Sequence, residues 1–320
     1  MSYGFQDGKT LLRESLTILG RFPKLNVPLA LTWLIYVPTA FYAKFLFPWE
    51  QAGILKDFAF ALLAILILSA TIGFSCLVLL EMLRQQERGE NISIFRAFFH
   101  AIFPDLPKAF PVILLWILVW FGLTIVEFFS KPLSSADSNE QASADSATKA
   151  LAGLTSTADF TQALYQAVKK GLRLVVFLVL PAVAWDHLWP TSAIKYGRDM
   201  VKTHVNAFSS AFVLTDFATW MLMIPTSFLV VVSVKWNLAL ADPVWYALIP
   251  VCSLAWSFSL FVEQMFAAQL YLWDLRWREA CKVAAESNRA LPNLESVAKP
   301  SILEISPELV AVGKLGGRRS

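Results

Sequence analysis

The chain of 320 residues contains 57% hydrophobic and only 16% charged residues, whereas an average soluble domain contains roughly 25% charged residues. This composition excludes an ordinary soluble globule, and the 25 Phe and 12 Trp residues exclude a disordered chain, which lacks such apolar surface. The net charge of +3 gives no reason to expect a nucleic-acid partner. The sequence therefore predicts an all-α, multi-pass membrane protein.

Six apolar segments have the length of a transmembrane helix, which needs about 20 mostly apolar residues. They cover residues 25–47, 58–80, 109–129, 172–189, 217–234 and 244–270. The fourth segment is short and contains Pro181, Asp186 and His187. We predict that these six spans form three transmembrane hairpins within a membrane domain of residues 1–289.

The basic residues are distributed unevenly between the two sides of these spans. Most of the 27 Lys and Arg residues lie in the N-terminal segment, the second and fourth connections and the C-terminal part. Because basic flanks are retained on the cytoplasmic side, we expect both termini in the cytoplasm and the protein in a bacterial inner membrane. The connection 130–171 then faces outward, and its first part, 130–158, is rich in Ser, Ala and Asp and typical of a flexible loop.

A short amphipathic segment precedes the first, third and fifth spans on the predicted cytoplasmic side. Each segment has apolar residues at helical spacing and basic residues away from them. Helices of this kind lie in the headgroup plane and attract anionic lipids, although any hairpin protein also needs such connections. The candidate headgroup contacts are Arg13, Arg21, Arg96, Lys195, Arg198 and Lys202. We predict three units, each an interfacial helix followed by a transmembrane hairpin.

The third of these segments, within WPTSAIKYGRDM, carries a family resemblance. The matching residues are Pro190, Ala193, Ile194 and Lys195. The stretch 172–217 resembles a broad group of uncharacterised bacterial multi-pass inner-membrane proteins, and is similar to the membrane domain attached to some glycerophosphodiester phosphodiesterases. It departs from that pattern at Tyr196 and Gly197, where the group has a second basic residue and a serine. The resemblance implies a hairpin architecture and carries no activity with it.

Ionisable residues inside a membrane are costly and are therefore candidates for function. Glu263 lies within the sixth span, about 10 Å from its midpoint at the helical rise per residue, and Gln264 follows it. Asp186, His187 and Asp216 lie near the inner ends of the fourth and fifth spans. These five residues predict a polar site in the cytoplasmic half, suited to a proton, a cation or a lipid headgroup. In the alternative interpretation, Asp186, His187 and Asp216 contact water or lipid headgroups. A protonated Glu263 then forms a hydrogen bond to a neighbouring helix.

The sequence offers no enzymatic motif. Its three His residues have no metal-binding spacing, and no phosphate-binding loop or nucleophile motif is present. We therefore expect no catalytic residue, no cofactor and no metal. Two hypotheses remain: a non-enzymatic accessory or scaffold component that binds anionic lipids or partner proteins, or a small-molecule or lipid transporter with its polar site around Glu263.

The C-terminal part contains the other candidate binding surface. The sixth span is predicted to continue as a helix to about Arg289, so that residues 271–289 could dock a protein partner. Residues 290–320 contain Pro292, Pro300 and Pro307, and this composition predicts a disordered cytoplasmic tail.

Overall fold

The computed structural model describes residues 2–130, 160–235 and 241–299. These residues are helical with short connections, and no strand occurs among them, which confirms the all-α prediction. The helices are α1 (Ser2–Arg21), α2 (Val27–Phe41), α3 (Trp49–Glu87), α4 (Ile94–His100), α5 (Leu106–Ser130), α6 (Phe160–Ala184), α7 (Pro190–Thr203), α8 (Val205–Lys235) and α9 (Asp242–Glu286). The loop predicted at 130–158 lies almost entirely outside the described residues.

Four helical stretches in the described part of the chain are long and apolar enough to cross a membrane. They are Pro23–Leu46, Leu55–Glu87, Ile94–Val126 and Asp242–Glu286, and they overlap the first, second, third and sixth predicted spans. Residues 172–184 of the fourth predicted span fall in α6, whose last 18 residues include Lys169, Lys170 and Arg173. The fifth predicted span falls in α8, and many of its side chains are not among those that the structure describes.

The short helices predicted at the interface join their spans with little interruption. Pro23–Asn26 forms a 3-10 turn between α1 and α2. Ala101–Asp105 forms a π-helical turn between α4 and α5 and contains Pro104, which cannot donate a backbone hydrogen bond. Helix α1 packs against α8 and α9, and its residues Ser15 and Ile18 are buried. Between α1 and α2 only Phe22, with φ −123° and ψ 80°, departs from helical geometry, and α4 continues into α5 through the π-helical turn.

Helix α9 lies at the centre of the bundle and packs against α2, α6 and α8. Helix α6 also packs against α5 and α3, and the Trp185 indole N–H donates to the Leu80 carbonyl over 3.0 Å. Helices α3 and α5 approach closely at Gly73, where an added Cβ would lie 2.5 Å from Cδ1 of Ile113. A Cβ at this position would require the Ile113 side chain or the helix backbone to shift.

The structure differs from the tail prediction for residues 290–299, which fold back against the end of α9. The indole N–H groups of Trp273 and Trp277 donate to the carbonyls of Val297 and Pro292 over 3.3 and 3.4 Å. Because buried indoles need an acceptor, these two tryptophans hold the returning segment in place. It therefore covers part of the 271–289 surface that we predicted for a partner. Residues 300–320 lie outside the described residues.

Candidate functional site

Helix α9 carries a line of polar residues on the side that faces α6 and α7. Its members are Glu263, Gln264, Tyr271, Asp274 and Arg278. Steps of about seven residues return to the same face of an α-helix after two turns. We call Glu263, Gln264, Tyr271, Asp274 and Arg278, together with their partners on α6 and α7, the polar seam. All of these five residues of α9 except Arg278 are buried.

The deepest contact of the polar seam is an ion pair between Glu263 and Arg173. The Arg173 guanidinium donates from Nη2 to Oε1 of Glu263 over 2.7 Å and from Nε to Oε2 over 2.8 Å. The Glu263 side chain is 0% exposed and that of Arg173 is 18% exposed. Two parallel charge-assisted hydrogen bonds are the strongest arrangement for such a pair. The carboxylate is thus neutralised within the bundle.

Sequence reasoning did not single out Arg173, which lies at the start of the fourth predicted span. Its long side chain reaches from the start of that span toward the middle of α9. The signal was available in principle, because a carboxylate buried in apolar surroundings needs a cation, and Arg173 begins a predicted span. Beside this pair, the Gln264 amide donates to the Phe177 carbonyl of α6 over 3.3 Å.

The other residues of the predicted polar site have separate partners. The Tyr271 hydroxyl donates to Oδ2 of Asp186. His187 Nδ1 lies 3.7 Å from Oδ1 of the fully buried Asp105, and His187 has a φ of 52°, a conformation unusual for a non-glycine residue. The side chain of Asp216 lies outside the described residues. The structure therefore distributes these groups among pairs along the helices.

At the C-terminal end of the polar seam, Asp274 accepts hydrogen bonds from two helices, α7 and α9. Its Oδ2 accepts from the Tyr196 hydroxyl and from Arg278 Nε, both over 2.7 Å, and its Oδ1 lies 3.1 Å from Nε2 of His204. The Arg278 guanidinium also stacks over the Tyr196 ring at 4.1 Å. The pKa of the Tyr196 phenol lies well above its usual value, mainly because the group is buried and secondly because the Asp274 carboxylate is close. The phenol therefore stays protonated as a donor.

This cluster joins α9 to the break between α7 and α8, where His204 has a φ of −110° and ends the α-helical geometry of α7. We did not predict Asp274, His204 or Tyr196 as site residues. The spacing of Asp274 and Arg278, four residues apart, was the visible signal, because such pairs face each other on a helix. The contact of His204 depends on the fold and could not be anticipated.

All six predicted headgroup contacts are exposed in the structure. Large apolar side chains are exposed close to them in sequence, at Leu16, Phe95, Phe99, Trp189 and Ile194. Arg96 also forms an ion pair with Glu90, which is exposed enough to contribute little stability. Exposed cations thus alternate with exposed apolar groups on α1, α4 and α7.

In the described part of the chain, no group of three or more His, Cys, Asp or Glu residues is arranged to hold a metal ion. The predicted resemblance rests on the sequence pattern alone. No protein-family model matches the chain, and neither the curated proteins nor the solved structures contain a match.

Proposed function

We propose that the protein is a six-span, non-enzymatic scaffold or accessory component of a bacterial inner membrane, and that its cationic helices bind anionic lipid headgroups on the cytoplasmic side. The exposure of all six cations beside exposed apolar residues on α1, α4 and α7 carries this proposal. A helix with this surface gains from burying its apolar groups below the headgroups and from attraction between its cations and the lipid phosphates.

The position of α6 supports a span that composition alone would not assign. In the first half of α6, Lys169 lies over the Trp120 ring of α5 at 5.6 Å, and directly after its last residue Trp185 bonds to Leu80 of α3. Since α3, α5 and α9 each contain a candidate span, α6 runs beside spanning helices on three sides. The charge of Arg173 on α6 is neutralised by Glu263. This pairing lowers the free-energy cost of placing α6 in the membrane.

The transporter hypothesis has less support. Glu263 already has both oxygens bound by Arg173, so a transported cation would have to displace a bidentate guanidinium. A buried ion pair of this kind commonly fixes helix register and orientation. We therefore assign the polar seam a structural role, in which it holds α6 and α7 against α9.

The headgroup proposal is tested by replacing Lys195, Arg198 and Lys202 together with Gln. Each cation near an anionic surface contributes about 1 kcal/mol, or about fivefold in affinity. In nanodiscs that mix phosphatidylglycerol with phosphatidylcholine, we expect the wild-type protein to retain phosphatidylglycerol preferentially, as measured by native mass spectrometry. The triple variant should lose most of that preference.

The matched control is Lys56→Gln, which removes an exposed cation from the start of α3, on the predicted outer side. It should leave the preference for phosphatidylglycerol unchanged. Equal retention of the two lipids by the wild-type protein, or an undiminished preference in the triple variant, would refute headgroup binding by α7.

A further inference from the structure

A buried carboxyl group without a hydrogen-bond partner lies in the π-helical turn between α4 and α5. Asp105 ends this turn, and Ala101 and Ala109, four residues before and after it, are fully buried as well. The Asp105 side chain is 0% exposed, and neither of its oxygens has a donor among the residues that the structure describes. An ionised carboxylate is costly in such a place, and a buried group of this kind commonly becomes neutral instead.

The imidazole of His187 faces this carboxyl group. Its Nδ1 lies 3.7 Å from Oδ1 of Asp105 and is buried without a partner of its own. A neutral carboxyl group has one O–H to donate, and an unprotonated Nδ1 accepts it. With Nδ1–H as the donor instead, a negative charge would stay buried with a single hydrogen bond. Hydrogen-bond length requires a movement of about 1 Å or less.

The backbone at His187 ends α6 in the left-handed conformation. The φ of His187 is 52°, and the backbone N–H of Leu188 donates to the Ala182 carbonyl over 3.2 Å. Helices commonly end in this way, usually with Gly or Asn at the left-handed position. The turn alone therefore does not account for a histidine. The side chain is 36% exposed, so the ring connects the buried Asp105 to solvent.

The other charged groups nearby do not replace this contact. Those that act electrostatically on Asp105 or His187 are Glu81 and Arg84 of α3, Arg88 at its end, His100 of α4 and Lys108 of α5. Arg84 pairs with Glu81 over 3.4 Å, which reduces the net charge of the two at Asp105. In the described part of the chain, no basic nitrogen other than that of His187 lies within 4.0 Å of the Asp105 carboxyl group.

We propose that Asp105 and His187 form a proton-binding site, in which a neutral Asp105 carboxyl group donates its proton in a hydrogen bond to Nδ1 of His187. The proton exchanges through the imidazole: Nδ1 accepts it and Nε2 releases one to water, so that the ring returns to its neutral form. The site joins the connection after α4 to the connection before α7. It uses none of the six cations assigned to headgroup binding, and so it succeeds or fails independently of that proposal.

Infrared spectroscopy tests the protonation state directly, because the C=O stretch of a protonated carboxyl group is separate from the bands of a carboxylate. The purified full-length protein in lipid nanodiscs should show this band at pH 7, and Asp105→Asn should remove it. His187→Asn suits the left-handed turn but removes the imidazole, and the band should shift because the carboxyl group has lost its acceptor. The control Glu90→Gln, which removes a carboxylate that is 35% exposed, should leave the band unchanged.

The pH dependence of stability provides an independent measurement. Above about pH 4 a free aspartate is ionised, so a native state with a neutral Asp105 binds one proton more than the unfolded state. The unfolding equilibrium constant of the wild-type protein, relative to that of Asp105→Asn, should therefore rise between about pH 5 and pH 7, by up to about tenfold per pH unit. The contribution of the proton to stability is thus lost as the pH rises.

Three results would overturn the proposal: no protonated-carboxyl band that depends on Asp105, a ratio of unfolding constants that does not change with pH, or a band that is unaffected in His187→Asn. Either of the first two would show that Asp105 is ionised and is stabilised by water or by the more distant Arg84 and Lys108. The third would show that Asp105 holds its proton without His187.

Discussion

Replacement of Arg173 by Gln should be among the most destabilising changes in the bundle. The Glu263 carboxylate is fully buried, and both of its oxygens accept from Arg173. Loss of one partner of a buried ion pair typically costs about 3–5 kcal/mol, because it leaves an uncompensated charge. The reciprocal change, Glu263→Gln, should cost less, about 1–3 kcal/mol, because the Arg173 side chain is 18% exposed and can turn toward water or headgroups.

The two changes together should cost less than their sum. In the Arg173→Gln/Glu263→Gln variant no charge remains buried, and the two amides can bond to each other. The free energy of unfolding is measured by reversible denaturation in mixed detergent micelles, with tryptophan fluorescence as the signal. A double-mutant cycle then isolates the coupling between the two residues.

Two controls separate the ion pair from general effects of substitution. Arg173→Lys keeps the charge but cannot form two parallel hydrogen bonds, and should fall between the wild-type protein and Arg173→Gln. Arg198→Gln removes an exposed cation and should change stability by less than about 0.5 kcal/mol. The reasoning is refuted if Arg173→Gln is as mild as Arg198→Gln, or if the two single effects simply add in the double variant.

Three further predictions concern threading and packing. A Cys at Ser192 in a cysteine-free background should react with an impermeant maleimide only from the cytoplasmic side if the chain spans six times; with four spans, labelling would come from outside. Asp274→Asn weakens a fully buried acceptor and should lower the free energy of unfolding by about 2–3 kcal/mol. Arg278→Gln changes a side chain that is 42% exposed and should lower it by less than about 1 kcal/mol. Equal losses in the two variants would contradict the central role of Asp274. Gly197→Ala should lower the free energy of unfolding by about 1–3 kcal/mol, because the added Cβ would lie 2.8 Å from Val179 Cγ2. A second substitution, Val179→Ala, should restore part of that stability. If it restores none, the strain does not lie at Val179.

The sequence was sufficient for features that depend on short stretches of chain. A run of about 20 apolar residues is a local property, and four predicted spans therefore coincide with apolar helices of sufficient length. The charged residues of α6 show why apolar length alone is not sufficient to predict every span. Lys169, Lys170 and Arg173 reduce the apolar character of that helix, and whether it crosses depends on a carboxylate 90 residues away.

Contacts between distant residues could not be predicted because they depend on how the helices pack. Tyr196 and Gly197 illustrate this limit. They are the two positions at which the sequence departs from the pattern that it resembles. In the structure, Tyr196 donates to Asp274, and Gly197 allows α7 to approach Val179 of α6. Both departures therefore have a physical reason within this chain.

The pairing of Arg173 with Glu263 also has a consequence for biosynthesis. Arg173 emerges from the ribosome 90 residues before its partner, and at about 5–20 residues per second this is a delay of roughly 5–20 s. During this interval α6 carries an unpaired guanidinium, whose insertion alone costs about 2.5–3.5 kcal/mol at the centre of a membrane helix. If α6 crosses the membrane, the carboxylate that neutralises Arg173 is supplied only after α9 has been synthesised.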